Sequence, residues 1–425
     1  MMAFPRMALI QVKRRGPTLA NAAVATERAL KDLGLSERIP PGRGVAITAG
    51  SRGIDEIATI TKTIVVALRQ LKAEPVIIPA MGSHGGGTAE GQRQLLRMYG
   101  ISQETMGASI LSSMDVTPLG LTPEGIPVVL DTEATKADGI LLVNRIKPHT
   151  GFAGRIGSGL LKMTVFGLGN HQGAATCHEA VMQHGYEQVI RAVSAVVLAR
   201  ARILGGLAIL ENSDGGLAQV VALPPEGLVR GEERLFLRAR RWAPRLPFDD
   251  IDLLIVDEMG KDIAGTGMDT NVIGRRFSLI EKPLARPRIG RIFVRGLTKE
   301  TQGNANGIGL ADVTTERLLR EMDRGVTYIN SLAARTPEHS RLPMAFPTDR
   351  EALEAVLKTI RVSDPLCARI VRIKNTLELK TILISESLLP EVRQRRDLSP
   401  LSDPREVTFD PDGNLPPWPT VDNSH

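Results

Sequence analysis

The run Gly139-Ile140-Leu141-Leu142-Val143, followed by Asn144–His178 (NRIKPHTGFAGRIGSGLLKMTVFGLGNHQGAATCH), decides how this chain is read. Five apolar residues in a row fit a strand buried on both faces. The stretch after them holds three of the chain's seven histidines, His149, His171 and His178. Among these lie many glycines and one lysine, Lys162, set between apolar residues. Glycine lets backbone approach a ligand closely. Histidine transfers protons near neutral pH and binds metals. A buried strand running into such a loop predicts an active-site segment.

The same grammar recurs on either side. Gly44–Thr48 (GVAIT) reads as a strand that runs into Ala49-Gly50-Ser51-Arg52-Gly53-Ile54, with a helical pattern from Ile57 to Lys72. Glu74–Pro79 (EPVIIP) reads as a second strand, ending in Gly82-Ser83-His84-Gly85-Gly86-Gly87 before a helix at 88–99. Strand, glycine-rich loop and helix in repetition predict an open α/β sheet, mostly parallel. Loops past the carboxyl ends of such strands carry ligands, which puts Arg52 and His84 on one rim. Residues 108–135 read as shorter strands and turns, with a hairpin at Thr122-Pro123-Glu124-Gly125. A helical pattern at 171–202, a strand at Gly206–Leu210 and an Arg-rich helix at 227–242 follow. Two prolines between Trp242 and Asp249 mark the main boundary. The grammar restarts at Ile251–Val256 (IDLLIV), whose following loop contains Lys261.

The expected architecture is therefore α/β with two domains, each a mostly parallel sheet flanked by helices, and the active site in the cleft between them. The expected divisions are an N-terminal cofactor-binding domain at 1–247, a C-terminal domain at 248–388, and a tail at 389–425. That tail, rich in Pro, Asp and Arg, either packs back on the body or stays partly disordered.

Composition narrows the function. The chain has 425 residues, 42% hydrophobic and 24% charged, so two cores are expected. No apolar run reaches membrane-spanning length, and the start lacks the order of a secretory signal. Two cysteines, Cys177 and Cys367, cannot make a disulfide framework, which fits a reducing cytoplasm. A net charge of +6 with 3% aromatics favours a small anionic ligand over nucleic acid. The loops match neither the dinucleotide G-x-G-x-x-G spacing nor a Walker motif. The histidines lack zinc-site spacing. A nicotinamide-dependent oxidoreductase and a non-catalytic nucleotide or hydroxyacid binder stand as alternatives.

Single residues read two ways. His84 and His149 are either local backbone partners or proton-transfer groups, with Arg145 and Lys147 as solvated charges or anion ligands. Lys162 either snorkels from an apolar surface or, held there, has a lowered pKa and serves as a nucleophile or covalent tether. His178 is a core or solvated residue, or a ligand. His171 reads as part of a turn.

As an ordered set these residues resemble the nickel-dependent lactate racemase family of 2-hydroxyacid racemases and epimerases. The points of likeness are Arg52 after a first strand, the Gly82-Ser83-His84 loop, the Pro148-His149-x-x-x-x-Gly154 stretch, and Lys162 with His178 sixteen residues on. The resemblance implies a nickel-pincer nucleotide bound covalently at Lys162, with His178 as the protein ligand to nickel. It also implies that His84 and His149 act as the acid/base pair. Arg52 would hold a substrate carboxylate or a cofactor phosphate, and Lys261 would face the substrate. The implied partners are a 2-hydroxyacid and the proteins that make the cofactor, with an oligomer open. The lysine lies three residues farther from His149 than in the lactate racemases themselves, and Ala49 replaces an acidic residue. The loops GKDIAGTGMDTN (260–271) and QGNANGIGLAD (302–312) likewise imply a separate branch. In them Asp269, Asn271, Asn304 and Asn306 either hydrogen-bond a more hydroxylated substrate or form Asx-turns.

Overall fold

The computed structural model describes residues 3–419. The chain forms two compact bodies, one spanning Arg15–Ala243 and the other joining the residues up to Arg14 to those from Pro244 onward. Strand β1 (Met7–Val12) precedes the first body and belongs to the second.

The strands of the first body are β2 (Gly44–Ala49), β3 (Glu74–Pro79), β4 (Ser109–Ile110), β5 (Val116–Leu121), β6 (Pro127–Asp131), β7 (Gly139–Arg145), β8 (Ile203–Glu211) and β9 (Leu217–Leu223). Six of them form a sheet in the order β4-β3-β2-β7-β8-β9, parallel except at the β8–β9 edge. β5 and β6 pair as the expected hairpin, its turn closed by Thr122 N donating to Ile126 O at 2.9 Å. Successive strand residues point to opposite faces. In β7, Ile140 and Leu142 pack into one core with Ile78 and Leu160, while Leu141 and Val143 enter another with Ile47 and Leu207. Helices cover both faces, so the unbroken apolar run is what this position requires. Burying each of those side chains stabilises the body by about 1.5–3 kcal/mol. The helical stretch at 171–202 is two helices, Asn170–His184 and Tyr186–Arg200, broken at Gly185, whose φ of +79° suits glycine.

The second body adds β10 (Asp250–Val256), β11 (Arg288–Val294), β12 (Val313–Thr315), β13 (Met344–Phe346), β14 (Ile370–Ile373), β15 (Thr381–Ser385) and β16 (Leu398–Pro400). The sheet order is β13-β12-β11-β10-β14-β15-β1-β16. Strands β10 to β14 pair in parallel, but β14–β15, β15–β1 and β1–β16 are antiparallel. This sheet is thus mixed, with four parallel pairings on one side and three antiparallel ones on the other. β1 lies in it, where the sequence reading had placed residues 1–247 in one N-terminal domain. The physical reason is burial: Ala8, Ile10 and Val12 alternate into a core with Phe248, Leu254 and Ile384.

The tail packs on this second body. Beyond β16, Leu415 is buried, its N–H donating to Asp349 Oδ2 at 2.9 Å. Arg295 donates to Asp349 Oδ2 at 2.6 and 2.8 Å and to Leu415 O at 2.7 Å. Arg372 donates to Asp257 and to Pro416 O, each at 2.7 Å. Among the described residues no helix is long and apolar enough to cross a membrane.

One buried titratable group in this body carries a pH signature. His339 is 5% exposed, and its Nε2 has no hydrogen-bond partner among the described residues. Burial pushes its pKa down to about 4; Glu338 opposes the shift and Lys261 adds to it. The unfolded chain protonates this group near 6.5 and the folded one only near 4, so stability falls as pH drops through that window. The slope from one such group is at most about 1.4 kcal/mol per pH unit. Urea unfolding of His339→Gln between pH 6.5 and 4 is expected to show a flatter decline than the parent chain; an identical slope would assign it to other groups.

Candidate active site

Three loops leave the carboxyl ends of the adjacent parallel strands β3, β2 and β7, and hydrogen bonds tie them together. Ser51 Oγ on the β2 loop contacts His84 Nδ1 on the β3 loop. Tyr99 Oη donates to Ser51 O at 3.0 Å. Gly82 N donates to Gly167 O at 3.0 Å, docking the β3 loop on the segment after β7. Gly82 has a φ of +60°, and a Cβ there would stand 2.4 Å from Phe166 O. Only glycine fits that approach. Asn144 Nδ2 donates to Gly159 O at 2.9 Å, fixing where the long β7 loop ends.

Lys162 closes a helical turn, Leu160–Lys162, that passes directly into a π-helical turn, Met163–Gly167. Such π turns are rare and concentrate at functional sites. Lys162 Nζ lies 3.0 Å from His149 Nε2. Gly151 N–H donates to His149 Nδ1 at 2.9 Å, so the neutral imidazole carries its hydrogen on Nε2. That hydrogen faces Nζ, and the contact is a hydrogen bond only if Nζ offers a lone pair. The geometry therefore selects the uncharged amine. Electrostatics points the same way: desolvation, then the charges of Arg52 and Lys147, lower the Lys162 pKa to about 8. Lys162 keeps some accessible surface, so this amine is both deprotonated more readily than usual and reachable.

Aromatic rings connect the remaining parts. His149 stacks on Phe152 with centroids 4.6 Å apart, and Phe152 on Tyr186 at 4.9 Å. Tyr186 meets the ring of His178 edge-on at 6.3 Å, and His178 lies 4.7 Å from Phe166. Lys162 Nζ is 5.7 Å from the Phe166 centroid. His149, Lys162 and His178 thus share one aromatic-walled patch. Arg52 is exposed by surface area, and its charge reaches Lys162. Arg145 is ion-paired with Glu211 inside the body.

The other residues singled out by sequence fall elsewhere. His171 sits in the first turn of the helix Asn170–His184, against Gly87. Lys261 belongs to the second body, where Nζ donates to Gly265 O and Asn330 Oδ1, each at 2.5 Å. Asn271 N donates to Asp269 Oδ1 at 2.9 Å and Asn306 N to Asn304 Oδ1 at 3.1 Å, both Asx-turns. Asn306 Oδ1 also accepts from Ser331 Oγ at 2.6 Å.

Glu232 is the site residue that the sequence reading missed. It is fully buried on the helix Leu228–Trp242, and its Oε2 accepts the Leu161 amide at 2.9 Å. The available signal was its spacing, since Glu232 falls on the same face as Leu228, Leu235, Phe236 and Ala239.

This arrangement defines an α/β protein whose candidate site loops lie at the carboxyl edge of a parallel sheet, where such folds carry their ligands. Residues 42–189, which include Arg52, His84, His149, Lys162 and His178, match the family model of the lactate racemase N-terminal domain. That match spans about a third of the chain. In fold it is similar to the lactate racemase apoprotein from Thermoanaerobacterium thermosaccharolyticum, with a TM-score of 0.53 at 13% identity, covering 87% of this chain and 94% of that one. It is also similar to a crystal structure of a Thermotoga maritima protein, with a TM-score of 0.50 at 15% identity, covering 76% and 84% respectively. No curated protein matches the chain.

Proposed function

We propose that the chain is a racemase or epimerase that inverts C2 of a 2-hydroxyacid on a nickel-pincer nucleotide tethered to Lys162. The carrying observation is the Lys162–His149 pair, 3.0 Å apart, in which geometry favours the uncharged amine. The residues present fit such a group. Lys162 is a reactive amine for covalent attachment, and His178 offers one imidazole nitrogen as nickel ligand. Phe152, Phe166 and Tyr186 supply flat apolar walls. When bound, the group supplies a hydride acceptor and donor.

The chain's own residues then have separable tasks. Arg52 binds the substrate carboxylate, or alternatively a cofactor phosphate, and keeps the acid oriented while it turns. One of His84 and His149 takes the C2 hydroxyl proton as the alcohol becomes a keto acid. The other returns a proton to the oxygen when the opposite face is reduced. Two bases are needed because the enantiomers present their hydroxyls in different directions. Lys261 is assigned to the substrate on the second body, and cofactor-biosynthesis proteins supply the tethered group.

Intact mass spectrometry tests the tether. Protein made in cells able to synthesise the cofactor is expected to carry an adduct that Lys162→Ala abolishes entirely. Only unmodified wild-type protein from such cells, or an adduct retained in the variant, would remove Lys162 from this role.

A further inference from the structure

We infer that Glu232 is the positioning residue of the lysine turn, holding the backbone at Gly159–Leu161 from inside the core so that Lys162 meets His149. The inference deepens the proposed function and rests on Lys162 being its reactive amine. The short helical turn that carries Lys162 begins at Gly159, which has no side chain to cap it. The first amides of a helix need acceptors from elsewhere. Glu232 reaches across from the helix Leu228–Trp242 and supplies one, Oε2 to Leu161 N at 2.9 Å, with the Leu160 amide also favouring the carboxylate. Gly159 is shaped to admit it: a Cβ there would stand 2.2 Å from Glu232 Oε1. The Gly159 carbonyl is held from the other side by Asn144 Nδ2. The turn is therefore anchored on both flanks immediately before Lys162.

The cost of this anchor shows that it is not ordinary core packing. Glu232 is 0% exposed, and its Oε1 has no hydrogen-bond partner among the described residues. An apolar side chain would fill the same space without that desolvation penalty. Burial pushes its pKa up to about 7, against the pull of the Leu161 and Leu160 amides and of Arg191, the charged group whose field reaches it. Arg52 and Lys147 are the charges that act on Lys162 itself. Loosening the turn would let Nζ leave His149 and regain water, restoring an ordinary lysine.

The test uses full-length, cofactor-free protein and reads the pH dependence of Lys162 acetylation by a brief pulse of acetic anhydride, resolved by peptide mass spectrometry. Wild type is expected to label with a midpoint near pH 8. Glu232→Gln, which keeps an acceptor oxygen for Leu161 N, retains that midpoint. Glu232→Asp draws the oxygen back, and Gly159→Ala displaces it. Each is expected to raise the midpoint by one unit or more, so that labelling at pH 8 falls about fivefold or more while far-UV circular dichroism is unchanged. An unshifted midpoint in both, or an equal shift in Glu232→Gln, would overturn the inference. Slow exchange of the Leu161 amide in wild type is a second requirement, independent of whether any variant folds; exchange as fast as an exposed loop's would also overturn it. Because no cofactor is present, these outcomes are separate from the adduct measurement: a missing adduct with shifted midpoints would sink the tether and leave the role of Glu232 standing.

Discussion

Under the proposed function, replacing His149 or His84 by alanine is expected to lower the rate of 2-hydroxyacid inversion by nickel-loaded protein by about 10²–10⁴-fold, the usual worth of a positioned acid/base group. The Gly151 amide engages His149 Nδ1, and Nε2 is the atom that faces Lys162. His84 is held from another loop: Ser51 Oγ meets its Nδ1, and the Ser51 carbonyl is itself held by Tyr99. Two histidines, each held at Nδ1 and carried on loops from different strands, suit a reaction that needs proton transfer on either face. Polarimetry gives the rate, and metal analysis shows whether nickel stays bound. Full activity in either variant would withdraw that histidine from the acid/base role. For His149→Ala, activity must be compared per mole of adduct, because its loss also removes the hydrogen-bond partner of Lys162.

The second large effect concerns stability. Asp349→Ala is expected to destabilise the second body by about 3–5 kcal/mol, the range for removing one partner from a buried ionic cluster. Asp349 has no exposed surface and accepts from Arg295, from Arg317 Nη2 at 3.2 Å and from Leu415 N. Its loss strands the Arg295 guanidinium, which burial alone would push down but which Asp257 and Asp349 together hold above its ordinary range. It also frees the tail, which Asp349 fastens through Leu415. A lowered urea midpoint should therefore come with new tryptic cleavage at Arg405, a site now bridged by backbone hydrogen bonds to Met7. A stability change under about 1 kcal/mol would mean that the cluster is as dispensable as a surface ion pair.

Much of the first body was legible because its signals are local. A buried run, a glycine-rich loop and a helix are contiguous, and the family resemblance orders Arg52, His84, His149, Lys162 and His178 along the chain. What escaped depends on pairing across long separations. Nothing in Met7–Val12 says that its partners are Thr381–Ser385 and Leu398–Pro400. Glu232 escaped because a glutamate in an Arg-rich helix reads as solvated, and only its place on the apolar face says otherwise. The polar loops at 260–271 and 302–312 were ambiguous for a related reason: Asp and Asn use the same oxygens for an Asx-turn as for a ligand, and here Asp269 and Asn304 use them for turns.

The position of β1 between β15 and β16 imposes an order on biosynthesis. The first body is one uninterrupted stretch, Arg15–Ala243, and all its strands exist once that stretch has been made. β1 emerges earlier still, yet both its neighbours come from the far end of the chain. At about 5–20 residues per second, a ribosome needs some tens of seconds to deliver them. Through that interval a strand with alternating apolar residues has two unpaired edges, a template for wrong partners. Vectorial synthesis thus favours the body that carries Lys162 and leaves the other to close last, around its own first strand.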